Sequence, residues 1–305
     1  MDDETNFLAA INADPLTDAP RLAYADWLNR RGDVRGEFIR VQCQLAGLAE
    51  DDPHIAPLRL REEALLQTRR QDLLGPLSAL PVDVRYERGL VVSITLSGIV
   101  FLEHAATLFA HAPLREVCLK DAGTRIATLA QVPELGRLER LWLTFNEIDS
   151  AGIQALAESP HLGKLTTLNL GHNRLGDAGV AALAASQRLP SLRHLWLAAN
   201  AIGDAGVQTL ARSPLLGQLE TLRLNGNCIG DAGVQALADS HRVTGLVGLH
   251  LGKNPFGDDA AAALANSPHL QGLCWLVVKK CNLSERGEQA LRRRFLTAFN
   301  REIVV

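Results

Sequence analysis

With 305 residues, 47% of them hydrophobic and 21% charged, the chain can bury a sizeable core and is neither globally disordered nor a coiled coil. A net charge of −3 gives no overall attraction to nucleic acid or to an anionic membrane. No apolar run reaches the ~18 residues of a membrane helix, and the acidic start MDDETNF does not read as a signal peptide. The five scattered cysteines are therefore expected to be reduced thiols of a cytoplasmic protein.

Residues 1–80 contain no repeat. Phe7, Leu8 and Ile11 predict a first helix that stops near Asp14 and Pro15. Asp18 is expected to cap a second helix, with Leu22, Ala25, Trp27 and Leu28 at helical spacing. Asp33 is expected to cap a third, carrying Phe38, Ile39, Gln42 and Leu45, and a fourth runs from about Pro57 to Leu74. The segment from Val82 to Leu90 then reads as a strand and a tight turn. Residues 1–80 hold 9 Lys and Arg against 14 Asp and Glu, whereas the remainder holds 22 against 20.

Beyond that point the chain repeats. The run Leu138-Glu-Arg-Leu-Trp-Leu-Thr-Phe-Asn146 returns at Leu165, Leu192, Leu219, Leu246 and Leu273, each 27 residues after the last. Looser copies begin at Val91 and Leu114. The frame LxxLxLxxN is that of a leucine-rich repeat. In each copy the LxL pair, such as Leu141 and Leu143, should point inward from a short strand, and its neighbours outward. Asn146, Asn173, Asn200, Asn227 and Asn254 stand where the chain leaves the strand, and their amides can satisfy backbone groups that a sharp turn leaves unpaired. Cys281 takes that place in the last copy. The second half of each unit, as in Leu175 to Ala184, predicts a helix, with Asp177, Asp204 and Asp231 as N-caps and Val180 and Leu183 on the buried face. The predicted fold class is α/β: a solenoid of about eight units over residues 81–283, strands on a concave face and helices on a convex one. A small α-helical domain (1–80) precedes it, expected to cap the array, and a capping helix and strand (284–305) follow.

The LxxLxLxxN frame followed by the GDAG helix start resembles the ribonuclease-inhibitor-like class of leucine-rich repeats over about residues 90–283. That class admits asparagine or cysteine at the turn position. The resemblance implies a binding scaffold and names no partner. Residues 4–48, with the core Asp26-Trp-Leu, Arg31-Gly-Asp33 and Glu37-Phe-Ile-Arg40, resemble a bacterial repeat-companion domain, which implies organisation and no chemistry.

No motif of catalysis or cofactor binding is present: there is no GxGxxG, P-loop, GxSxG or HExxH, and the cysteines lack CxxC spacing. The recurrent GDAG glycines read as turn and packing devices, not a phosphate cradle. No cofactor and no metal are expected. His161, His241 and His269 recur in surface loops, and Arg292 to Arg294 fit the cationic end of a helix. The outward strand positions form two columns. The central one reads Thr95, Cys118, Trp142, Asn169, Trp196, Arg223, His250 and Val277; the one before it runs Arg140, Thr167, His194, Thr221, Gly248 and Trp275. Trp142 and Trp196, two strands apart, are expected ~10 Å from each other. Tryptophan and arginine dominate binding hot spots, so Trp142, Trp196, His194, Arg223, His250, Asn169 and Arg140 are the candidate protein-binding residues. The expected function is a non-enzymatic protein-interaction scaffold. The alternatives are a regulator of a nucleotide-binding enzyme, or a hydrolase or transferase with a site around Asp26, Asp33 and Glu37.

Overall fold

A computed structural model describes residues 3–295 and 302–304. The chain forms two compact units. One holds the chain up to Leu96 together with Val100–Cys118; the other holds Ser97–Ile99 and the chain from Leu119 onward.

The first unit opens with helices α1 (Asp3–Ala13), α2 (Ala19–Asn29), α3 (Arg35–Gly47), α4 (Ile55–Thr68) and α5 (Arg70–Leu74). The expected fourth helix is thus two, broken at Arg69, whose backbone leaves the helical region (φ −127°, ψ 22°). Leu8, Ile11, Tyr24, Ala25, Leu28, Ile39 and Cys43 pack with Leu90 into one core, and Phe38, Leu65 and Leu73 into a second. Strands β1 (Asp83–Glu87) and β2 (Leu90–Ser97) form an antiparallel pair around the predicted turn. The turn between them holds Arg88 and Gly89 at φ 50° and 80°. Gly89 is required there, because a Cβ would lie 2.3 Å from the Ile39 backbone. Two expected caps are corrected. Asp18 precedes α2 but caps nothing with its side chain, which instead takes the Arg88 guanidinium at 2.8 Å. Asp33 sits one residue before the N-cap Val34 and accepts from the Arg35 amide and guanidinium.

Helix α6 (Gly98–His111) and β3 (Glu116–Lys120) lead into the repeats. There follow α7 (Ile126–Leu129), β4 (Arg140–Trp142), α8 (Ser150–Ala157), β5 (Thr167–Asn169), α9 (Gly176–Ala185), β6 (His194–Trp196), α10 (Asp204–Arg212) and α11 (Pro214–Gln218). The series closes with β7 (Thr221–Arg223), α12 (Asp231–Asp239), β8 (Gly248–His250), α13 (Asp258–Asn266), β9 (Trp275–Val277), α14 (Glu285–Phe295) and β10 (Glu302–Val304). Strands β4 to β9 pair in parallel and in strict 27-residue register, and β10 adds in parallel to β9. In every repeat strand both LxL side chains are buried. Of the predicted C-terminal segment 284–305, residues 296–301 and 305 lie outside the described residues.

Three side-chain ladders tie each repeat to its neighbour. The asparagines form the first. Asn227 Oδ1 accepts from the Asn200 and Ile202 amides at 2.8 and 3.2 Å, while its Nδ2 donates to the Leu197 and Leu224 carbonyls. Asn173 and Asn254 repeat this pattern on the units before them. Cys281 stands in with weaker sulfur bonds, its thiol 3.6 Å from the Leu251 carbonyl and its sulfur facing the Asn254 and Lys253 backbone amides. The asparagines therefore satisfy the preceding repeat as well as their own turn.

The aspartates form the second ladder, and here the expectation is corrected. Asp177, Asp204 and Asp231 do not cap their own helices. Each caps the next one: Asp177, Asp204 and Asp231 accept from the Gly203, Gly230 and Gly257 amides, all at 2.7 Å. Asp204 Oδ1 also takes the Gly233 amide at 2.9 Å. This explains the second glycine of GDAG, since a Cβ on Gly233 would lie 2.6 Å from that oxygen. Serines form the third ladder, Ser186, Ser213, Ser240 and Ser267 each donating to a carbonyl 29 residues earlier.

Asn200 is fully buried, so its replacement strands the Leu175 amide and the Leu170 and Ala198 carbonyls. Asn200→Ala should lower the unfolding free energy by about 1–3 kcal/mol in denaturant melts. Asn225→Ala, at a half-exposed position just after β7 in the next repeat, should cost under about 0.5 kcal/mol. Equal effects would show that the ladder does not hold the repeats together.

Candidate binding face

Because strand side chains alternate, burying Leu141, Leu143, Leu195, Leu197 and their equivalents turns the intervening residues to the open face of the sheet. The pairing aligns Arg140, Thr167, His194, Thr221, Gly248 and Trp275 in one column and Trp142, Asn169, Trp196, Arg223, His250 and Val277 in the next. These are the columns expected from the spacing.

The side chains close up more than strand spacing alone implies. The Trp142 and Trp196 rings do not stand ~10 Å apart; their centroids are 4.9 Å apart at 78°, an edge-to-face contact. Long aromatic side chains lean across the intervening strand, where Asn169 is buried and its Oδ1 accepts from the Gly171 amide. Asn169 is therefore beneath this face, not a contact on it. The Arg223 guanidinium lies over Trp196, 4.1 Å from the ring centroid, and 5.8 Å from that of Trp275. Trp275 joins the cluster because Gly248, beside it, leaves room: a Cβ there would fall 2.1 Å from the indole. The sequence carries that signal in the pairing of a glycine with a tryptophan in adjacent repeats. Arg140 sits at the edge of this group and pairs with Glu139 at 3.6 Å. His194 is half-buried on the strand that bears Trp196. On the loop side, Phe145 is 71% exposed and stacks on His172, with centroids 4.2 Å apart.

The cluster is made of donors. Trp142 Nε1, Trp196 Nε1 and Arg223 Nε are shut from solvent with no hydrogen-bond partner. Each such group costs about 1–3 kcal/mol when left unpaired. Burial, then Arg223 and Lys253, hold the His250 imidazole below its ordinary range.

The acids weighed for a site in the first unit are all in ion pairs. Asp26 meets Arg40, Asp33 meets Arg35, and Glu37 takes Arg61 in a two-point contact of 2.5 and 2.8 Å that holds its carboxyl below the usual range. Arg35 also reaches Glu4 at 2.9 Å, and Arg31 stacks on Trp27. Among the described residues, no group of three or more His, Cys, Asp or Glu could hold a metal ion, and no helix is long and apolar enough to cross a membrane. None of the five cysteines is joined in a disulfide; Cys43 is buried and Cys228 and Cys274 are exposed.

The Leucine Rich repeat family matches residues 138–157, 161–184, 188–211 and 219–238. These are the segments that carry β4 to β7 and the helices α8 to α10 and α12, so the part of the candidate face from Trp142 to Arg223 is built on leucine-rich repeats. No curated protein matches the chain.

Two measurements check this geometry. Trp142→Ala and Trp196→Ala in a double-mutant cycle should couple by about 0.5–1.5 kcal/mol, and additivity would mean the rings do not touch. Arg223→Gln should raise the NMR-measured pKa of His250 by removing a nearby cation. The sign for stability follows. Above the ordinary imidazole range His250 is neutral both folded and unfolded. As pH falls through that range the unfolded chain takes the proton first, so the fold loses stability until the folded-state pKa is passed. The variant should narrow that loss.

Proposed function

We propose that this is a non-enzymatic scaffold that binds another protein on the open strand face of its repeats. The observation that carries the reading is the Trp142–Trp196–Arg223–Trp275 cluster on the outward side of neighbouring strands. Tryptophan and arginine are the residues that most often anchor interfaces, and here they are packed against each other before any partner arrives. Pre-packed side chains lose little freedom on binding, which favours affinity. Leucine-rich repeats support a role in protein interaction. We read the array as a ribonuclease-inhibitor-like solenoid in a cytoplasmic protein, and residues 1–80 as a repeat-companion domain. The ion pairs of Asp26, Asp33 and Glu37 favour a structural role for those acids over acid–base chemistry.

The test is affinity capture from native extract with the full chain, Trp196→Ala, and Gln235→Ala on the exposed side of α12. The scaffold reading expects one stoichiometric partner, held by the wild type and by Gln235→Ala. Trp196→Ala should weaken it by about 2 kcal/mol or more while remaining folded by circular dichroism. Retention of the partner by folded Trp196→Ala, with loss in Gln235→Ala, would move the site to the helices.

A further inference from the structure

From β4 to β9 the open face is charged unlike the rest of the chain, and the next strand, β10, brings Glu302 into register with Trp275. The strand-to-turn stretches 140–145, 167–172, 194–199, 221–226, 248–253 and 275–280 contain no aspartate or glutamate. They contain Arg140, Arg223, Lys253, Lys279 and Lys280, with His172, His194 and His250 among them. The whole chain is nevertheless net negative, at −3. The repeat aspartates Asp177, Asp204, Asp231 and Asp258 stand at the helix starts instead, held by amides of the next repeat. The flanking Glu139 and Glu220 precede their strands, and Glu139 is the partner of Arg140. The cations gather over β7 to β9, where Lys253, Lys279 and Lys280 are exposed. Arg223 lies at the junction of this cationic half with the tryptophans. Stacking fixes its guanidinium, yet its Nε has no hydrogen-bond partner.

Resting on the strand-face reading above, we propose that the partner presents an extended acidic segment, whose carboxylates lie across β7 to β9 with Arg223 as the anchor. Three features favour carboxylates. Arg223 is held by ring stacking, with no carboxylate of the described residues paired to its guanidinium. A planar guanidinium matches a carboxylate in two parallel bonds. Strands β7 to β9 carry no acid of their own, and the nearby cations steer a negative chain in. Single-stranded nucleic acid fits less well. It needs open aromatic faces for stacking, whereas Trp196 lies under Arg223 and meets Trp142 edge-to-face.

The test is fluorescence anisotropy on the full chain with three labelled probes: a short alternating Glu–Gly peptide, its Lys–Gly counterpart and a short oligothymidylate. The acidic peptide should bind, weakening as salt rises. Its affinity should fall about tenfold or more in Arg223→Gln and again in Lys279→Gln/Lys280→Gln, the latter being surface changes that spare the cluster. Equal binding of the Lys–Gly peptide, or acidic-peptide binding unchanged in both variants, overturns the proposal. Tighter binding of the oligothymidylate overturns it in favour of nucleic acid. If no probe binds while Trp196→Ala still releases the captured native partner, the acidic class is wrong and the strand-face reading survives. If the acidic peptide binds as expected but capture ignores Trp196, it is that reading that fails.

Discussion

The repeats depend on one interaction: a buried asparagine amide that bonds backbone groups of the repeat before it as well as its own turn. Asn173, Asn227 and Asn254 each take two amides of the preceding unit on a single oxygen and return hydrogens to its carbonyls. A turn that leaves a strand so sharply strands polar backbone groups in the core, and those groups must find partners. Asn146 does the same for the unit before it, which is only 24 residues long, taking the Ala122 amide and bonding the Leu119 carbonyl. The constraint therefore acts on the strand-to-turn segment, where a one-residue slip would flip the strand side chains to the other face. The leucine core and the outward columns follow from it.

The aspartate and serine ladders extend the same logic to the helices. A carboxylate at each helix start is spent on the next helix, close to its positive dipole end. This draws acidic residues to the helix side of each unit. The strand side has no comparable need for carboxylates, because parallel pairing satisfies its backbone. Its outward positions can therefore hold tryptophan, arginine and lysine without perturbing the frame. Scaffold and candidate surface are separated residue by residue, as a rigid repeat array allows.

The period was fully legible, because six copies of LxxLxLxxN at one spacing dictate strand, register and parity. So were the two columns, since they follow from alternation alone. The rest lay beyond local rules. An aspartate at a helix start reads as a cap for its own helix, and nothing local reveals that Asp204 serves Gly230 and Gly233 in the next repeat. Backbone spacing put Trp142 and Trp196 well apart, but indoles are long enough to meet across Asn169. Trp275 entered the cluster through the absence of a side chain at Gly248. In the helical unit, apolar periodicity ran through Arg69 and concealed the break there. Asp18 went to Arg88, 70 residues away.

The most direct test of the strand face as the binding surface is site-specific photo-crosslinking in living cells. A benzophenone amino acid would replace Thr144, outward beside the Trp142 strand, or Gln235, exposed on helix α12. The account predicts a discrete crosslinked species from position 144 and none from position 235. A discrete species from 235 alone would contradict it and place the partner on the helices.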